Sequence, residues 1–256
     1  MSEPLVIAEG LVKEYGRSRV VNGVSLSIAR GEILGLVGES GSGKSTVARM
    51  ILRLIEATQG SVRFDGVDIL RADRSTLKRL RGRMGVVFQD PFAALDPRMT
   101  VRTILAEPFA IHGTALRGDG LESKLTAMLQ EVGLDATALD RYPHAFSGGQ
   151  RQRINIARAL ALQPEFLVLD EPVSALDVSV GAQVINLLRG LQRSRGLTCL
   201  FISHSMPLVR YLCDRVAVMR KGELVEIGDA VEVCAHPREP YTQALIAATP
   251  EFRTAL

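Results

Sequence analysis

The sequence predicts an α/β fold in which a core of mainly parallel sheet is interrupted by a helical insert. Three observations lead there. In the last third, strand-sized apolar runs such as Phe166–Leu169 and Thr198–Ile202 alternate with helical stretches, as in a parallel sheet with crossover helices. From about Thr100 to Leu139 the pattern becomes helical, with Leu121, Leu125, Met128, Leu129 and Val132 on one helical spacing. The first third instead reads as short strands joined by tight turns, an antiparallel N-terminal β subdomain.

Leu5–Ala8, Val24–Ile28 and Ser61–Phe64 are the early strand candidates. Asp65-Gly66, between Val62-Arg63-Phe64 and Val67-Asp68-Ile69, is a hairpin signal. Ile33–Val37 is a short, wholly apolar run of the kind a buried strand shows, and Val47–Ile55 reads as a helix. Val216–Met219, Lys221-Gly222 and Leu224–Ile227 form a second hairpin pattern. The whole is expected to be a single domain over 1–256, with an α/β core at about 1–90 and 159–256 and the helical insert at about 91–158.

Composition narrows the function classes. The chain has 256 residues and 46% hydrophobic content, enough for a substantial core. A net charge of +3, from 31 basic and 28 acidic residues, with no dense Lys/Arg block, gives no reason to expect nucleic-acid binding. The apolar runs fall far short of the roughly 20 residues a membrane span needs. The N-terminus Met-Ser-Glu-Pro lacks a signal pattern, so a cytoplasmic chain that meets membranes only through a partner is expected. Cys199, Cys213 and Cys234 are widely spaced and are expected as reduced thiols in or near the core.

Gly38-Glu39-Ser40-Gly41-Ser42-Gly43-Lys44-Ser45-Thr46 matches G-x-x-x-x-G-K-[ST], between a strand and a helix as that motif requires. Its glycines let the loop curl so that backbone N–H groups face phosphate oxygens, and the helix N-terminus adds partial positive charge. The nucleotide-binding candidates are therefore Gly38, Ser40, Gly41, Ser42, Gly43, Lys44, Ser45 and Thr46. Lys44 is expected at the β- and γ-phosphates and the Ser45 hydroxyl at Mg²⁺.

In a parallel sheet, ligands bind beyond the carboxyl ends of the strands. Phe166–Leu169 ends in Asp170-Glu171, and Cys199–Ile202 ends in Ser203-His204. If these strands and Ile33–Val37 are parallel neighbours, their ends share one edge. Asp170 is then expected to hold Mg²⁺ through water, Glu171 to polarise the attacking water, and His204 to contact the γ-phosphate or steady that water.

Phe146-Ser147-Gly148-Gly149-Gln150 resembles the LSGGQ signature of ABC ATPases, with Phe in place of Leu. Ser147 is placed to cap the helix-like run Arg151–Ala161, and a serine with two glycines at a helix start makes a second anion site. The resemblance runs from about residue 4 to residue 250. It implies a P-loop NTPase core, ATP with Mg²⁺, and a head-to-tail pair in which Ser147, Gly148, Gly149 and Gln150 face the partner's nucleotide. Under it, Tyr15 is the aromatic that stacks on adenine. Gln89 is the glutamine that touches Mg²⁺ and links core to insert, joining Glu171 and His204 in catalysis. Ser174-Ala175-Leu176-Asp177 is the D-loop, with Asp177 reaching the opposite subunit.

A narrower resemblance, to oligopeptide, dipeptide and nickel importer ATPases, rests on Gln89–Val101, Ala175–Val180 and Pro240-Tyr241-Thr242-Gln243-Ala244-Leu245. It implies a transporter motor on the inner face of the cell membrane. Its expected partners are a second ATPase subunit of the same or a related chain, transmembrane permease subunits and, indirectly, a substrate-binding protein. Two departures stand out. Ser205 follows the switch histidine where many relatives have Asp. The chain stops at Leu256 without the cysteine-rich extension that can hold an iron–sulfur cluster, so no cluster is expected. A soluble ABC ATPase in a phosphonate-degrading assembly is the main alternative. A kinase or G protein is disfavoured, because there is no Asn-Lys-x-Asp motif and the signature would go unexplained.

Overall fold

The computed structural model describes residues 3–114 and 117–248. The chain divides into two compact units, one formed by Met1–Leu77 with Gly196–Leu256 and the other by Lys78–Arg195. In chain order the elements are β1 (Pro4–Tyr15), β2 (Ser18–Ala29), β3 (Ile33–Val37), α1 (Lys44–Ile51), β4 (Gln59–Phe64), β5 (Val67–Asp68) and α2 (Arg74–Arg81). The second unit continues with β6 (Met84–Val87), α3 (Val101–His112), α4 (Gly118–Glu131), two short 3₁₀ turns, α5 (Gly148–Ala159), β7 (Phe166–Asp170) and α6 (Val178–Arg195). The chain then returns to the first unit with β8 (Thr198–Ser203), α7 (Met206–Leu212), β9 (Arg215–Arg220), β10 (Glu223–Asp229), α8 (Ala230–Ala235) and α9 (Pro240–Ala247).

The first unit holds an antiparallel sheet of order β2-β1-β4-β5. The β1–β2 pair is much longer than the apolar runs suggested. Leu5–Ala8 is only its opening, because the pairing shifts register between Ala8 and Leu11, where Gly10 takes φ 57°. This irregularity breaks the alternation that a sequence reading follows, yet Leu11 and Val12 beyond it are buried again. The same unit pairs β3 in parallel with β8 on one side and with β9 on the other, and β10 closes antiparallel on β9. All five residues of β3 and all six of β8 are buried, which explains why they read as unbroken apolar runs. Both hairpin signals hold. Asp65 and Gly66 take φ 51° and 77°, and Lys221 and Gly222 take φ 47° and 88°, the positive values that two-residue turns between twisted strands need.

The start of β3 is fixed by side chains. The Ile33 N–H donates to Asp214 at 2.7 Å, and the buried Glu32 accepts from the Ala29 N–H at 2.6 Å and from Arg215 at 3.0 Å. Helix α1 begins at Lys44, earlier than the periodicity indicated, and ends at Ile51, ahead of Arg53 at φ 46°. Burial pushes the Cys199 thiol up to about 12 and holds that of Cys213 well above its ordinary value, so both stay protonated in the core.

In the second unit β6 and β7 pair in parallel, Met84 opposite Phe166 and Val87 opposite Leu169. β6 is four residues long and was not legible as a strand. Arg83 joins its start to that of β7 through a two-pronged ion pair with Glu165 at 2.6 and 2.9 Å. Helices α3, α4 and α5 make up the helical part, with Leu125, Met128 and Leu129 of α4 buried as their spacing predicts. No helix among the described residues is long and apolar enough to cross a membrane.

Candidate nucleotide-binding site

Strand β3 runs directly into the loop Gly38–Gly43, and α1 begins at Lys44. Gly38 lies so close to β9 that an added Cβ would stand 2.1 Å from the Met219 carbonyl, so the first position of this loop admits no side chain. Behind the loop, the Gly222 N–H of the β9–β10 turn donates to the Ser42 carbonyl at 3.0 Å. Lys44 is buried, and its ammonium donates to the carbonyls of Gly38 and Glu39 at 2.8 Å each and to Ser42 Oγ at 3.4 Å. A cation is thereby held against the inside of a curled backbone at the start of a helix whose first turn carries no acidic residue. Ser40 and Gly41 are exposed, and no atom of the described residues lies within 4 Å of a Cβ added at Gly41. Ser45 and Thr46 are half-buried at the first turn. Such a loop can take an anionic phosphate chain.

Tyr15 stands at the tip of the β1–β2 hairpin, 53% exposed, with the Lys13 ammonium 4.9 Å from its ring centroid. The same hairpin meets the loop at Val20, whose carbonyl lies 2.8 Å from a Cβ built on Gly43. An open aromatic face thus belongs to the hairpin that borders the phosphate loop. His204 is exposed one residue beyond Ser203, and Ser203 pairs in register with Val37. Parallel pairing of β3 and β8 therefore puts the phosphate loop and His204 at the same sheet edge. Ser205 N–H donates to Ser203 Oγ at 3.0 Å, while the Ser205 hydroxyl is buried with no hydrogen-bond partner among the described residues and does not cap α7.

In the second unit β7 ends at Asp170, which is 7% exposed, and Glu171 follows. Glu171 takes φ 48°, a left-handed conformation rare for a residue with a side chain and a common form of strain at functional positions. Its carboxylate accepts from the Gln89 amide at 3.2 Å, so the glutamine that follows β6 and the acid that follows β7 are brought together by the parallel pairing of those strands. Asp170 and Gln89 in this unit and, separately, the Ser45 hydroxyl in the first each offer a hard oxygen donor, the type that Mg²⁺ takes. Among the described residues no group of three or more His, Cys, Asp and Glu forms a metal cage.

Ser147 is the N-cap of α5 in a full capping box. Ser147 N–H donates to the Gln150 side chain at 3.0 Å, and Gln150 N–H donates back to Ser147 Oγ at 3.4 Å. Ser147 and Gln150 are exposed, so the capped start of α5 is a second surface suited to an anion. Gly149 faces Val180, and a Cβ there would fall 2.3 Å from its Cγ1; one on Gly148 would lie 3.3 Å from Leu176. The signature residues therefore pack against the segment Ser174–Asp177 and the start of α6, with Asp177 itself exposed. Phe146, in place of leucine, is buried beneath the Arg141 guanidinium at 4.5 Å.

One positioning residue escaped the sequence reading. Gln152 is fully buried on α5, and its amide donates to the Pro172 carbonyl at 2.6 Å, beside Glu171. Its signal is a polar residue three positions after Gly149 and four before Ile156, on the buried face of the helix.

Comparison with known proteins identifies the family. The family described as ABC transporter matches residues 21–174. A Brucella ovis protein, named as a candidate peptide import ATP-binding protein, is 51% identical over 251 residues, covering 96% of this chain and 79% of the relative. The oligopeptide transport ATP-binding protein OppF of Bacillus subtilis is 48% identical, over 98% of this chain and 84% of its own length. Among solved structures, cbiO1 of Clostridium perfringens, part of the ABC transporter complex cbiONQ, superposes with a TM-score of 0.81 at 28% identity, over 92% of each chain. The ATP-binding cassette MJ0796, solved as a dimer in a post-hydrolysis state with ADP and Pi, gives 0.79 at 29% identity, over 88% of this chain and 98% of that one. A phosphate loop, a carboxylate pair after a buried strand and a capped signature helix, carried by a chain about half identical to such relatives, lead to one conclusion: this protein belongs to the ABC transporter family of ATP-binding, ATP-hydrolysing subunits.

Proposed function

We propose that this ATPase drives an importer of peptides or related small solutes, working as one of two ATPase subunits on the cytoplasmic side of membrane-embedded permeases. The observation that supports the two-subunit reading is that one chain presents two separate features suited to an anion, the phosphate loop with Lys44 and the Ser147-capped start of α5. The peptide assignment is supported by the names of the relatives, oligopeptide transport and peptide import ATP-binding proteins.

In this proposal Lys44 and the loop amides hold the ATP phosphates, and Tyr15 stacks on the base. Ser45, Gln89 and, through water, Asp170 would hold Mg²⁺, which would supply positive charge to offset that of the phosphates. Glu171 orients and polarises the attacking water, and His204 steadies that water against the terminal phosphate. Ser147, Gly148, Gly149 and Gln150 complete the nucleotide site of the opposite subunit, with Asp177 beside them. Residues 91–158 form the helical insert that passes dimer closure to the permeases.

Reconstitution tests it. The chain is purified with its permease subunits, placed in lipid vesicles and supplied with the cognate binding protein. Peptide is expected to stimulate ATP hydrolysis, and labelled peptide is expected to cross in the import direction only with ATP. Hydrolysis indifferent to both permease and peptide, or ATP-driven movement in the export direction, overturns the proposal.

A further inference from the structure

The segment Pro240–Leu245 has no role in the site described above, yet it reaches the phosphate loop. Tyr241, in the first turn of α9, accepts a hydrogen bond on its hydroxyl from the Glu39 N–H at 3.1 Å. The same peptide group, Gly38 C=O to Glu39 N–H, carries at its other end the carbonyl that receives the Lys44 ammonium at 2.8 Å. The N–H and C=O of a trans peptide point in opposite directions within one rigid plane. Whatever fixes the N–H therefore fixes where the carbonyl, and with it the lysine, is held.

The tyrosine is itself firmly held. Glu226 on β10 accepts the Arg238 and Glu239 N–H groups at 2.9 and 3.3 Å, anchoring the entry to α9. Pro240 opens the helix with a preset backbone, and the neighbouring Thr242 is fully buried. The Arg220 guanidinium, at the end of β9, lies 5.0 Å from the centroid of the Tyr241 ring. Met219, one residue earlier on β9, is the residue whose carbonyl backs Gly38. The loop is thus buttressed on its outer side by β9 and by the α9 tyrosine together.

We propose that Tyr241 is a positioning residue for ATP binding, which fixes the Gly38–Glu39 peptide so that Lys44 is presented to the phosphates. This rests on the reading of Gly38–Thr46 as the phosphate cradle. The test compares Tyr241→Phe, Lys44→Ala and the double variant in the full chain, with Mg²⁺ and ATP as the probe. Tyr241→Phe keeps the ring beneath Arg220 and removes only the hydroxyl. It raises the ATP dissociation constant and KM about 2- to 10-fold, the range that one net hydrogen bond spans. It speeds hydrogen exchange at the Glu39 amide by a similar factor, while kcat at saturating ATP and the melting temperature stay near wild type. In the Lys44→Ala background the Tyr241→Phe change has no further effect on ATP affinity, because the group through which it acts is gone.

Wild-type ATP affinity in Tyr241→Phe, alongside lost affinity in Lys44→Ala, overturns the proposal and leaves the cradle standing. Wild-type affinity in Lys44→Ala removes the cradle and the proposal with it. Fully additive losses in the double variant, or a parallel fall in kcat and melting temperature in Tyr241→Phe, overturn the positioning role.

Discussion

At the residue scale, Glu171 combines a strained backbone with a specific partner. A left-handed φ of 48° at a side-chain-bearing residue costs on the order of 1–3 kcal/mol, and Gln89 meets its carboxylate at 3.2 Å. The Ser174 hydroxyl and N–H also hold the Glu171 carbonyl, at 3.1 and 3.2 Å, so the conformation is pinned from the following turn. If the carboxylate is there to polarise water, replacing it with an amide removes that function and little else. Glu171→Gln is therefore expected to bind ATP normally and to lose turnover by about 10²- to 10⁴-fold, the usual share of a general base. Steady-state hydrolysis alongside nucleotide binding checks this, and near-normal turnover would strike Glu171 from the role. The doublet itself was legible in the sequence, since an Asp-Glu pair after an apolar strand is a local pattern. The strain and the glutamine contact were not, because residues 89 and 171 meet only when β6 pairs with β7.

At the element scale, the start of α5 is specified by several independent contacts. The capping box satisfies amides at its N-terminus, the buried Gln152 ties it to Pro172, and Gly149 lets it approach Val180. A methyl group on Gly149 would sit 2.3 Å from a β-branched side chain on a neighbouring helix, with no flexible end to swing away. Gly149→Ala is expected to cost about 1–3 kcal/mol of stability, as overpacking does, and to depress ATP hydrolysis by displacing the signature turn. Gly190→Ala gives the opposite sign. Gly190 is an exposed interior residue of α6 with no atom of the described residues within 4 Å of an added Cβ, so alanine should stabilise by about 0.5–1 kcal/mol through helix propensity alone. Denaturant titration of the two variants side by side decides the matter, and equal effects would contradict the close approach at Gly149.

At the scale of the whole molecule, the two-faced arrangement predicts complementation. Lys44→Ala spoils the cradle of its own chain. Ser147→Arg fills the capped start of α5 and blocks the nucleotide that a partner would bring to it. Each variant paired with itself has two defective sites. A mixed pair has one site with both defects and one built from the intact cradle of one chain and the intact signature of the other. Mixing the two inactive proteins is expected to restore part of the ATPase activity, with a maximum near equal amounts, provided that the chain pairs with itself and a single site turns over. Full activity of Ser147→Arg alone, at any protein concentration, would show that the signature completes no ATP site.

The sequence by itself determined the patterns that are local along the chain. The phosphate loop, the Asp170-Glu171 doublet, the serine cap at 147 and both two-residue hairpins are patterns in which neighbouring residues supply the whole signal. It also determined the wholly buried strands β3, β7 and β8, because a strand covered on both faces is uninterrupted in its hydrophobicity. Tertiary structure decided what depends on pairing and close approach. The length of the β1–β2 ribbon runs past an irregularity that hides it from periodicity, and β6 is too short to show a period at all. The meeting of Gln89 with Glu171, of Gly149 with Val180, and of Tyr241 with Glu39 joins residues 82, 31 and 202 positions apart. Each such contact is a property of a backbone already folded: no residue carries a local mark of the partner it meets, and only the packing of strands and helices brings the two together.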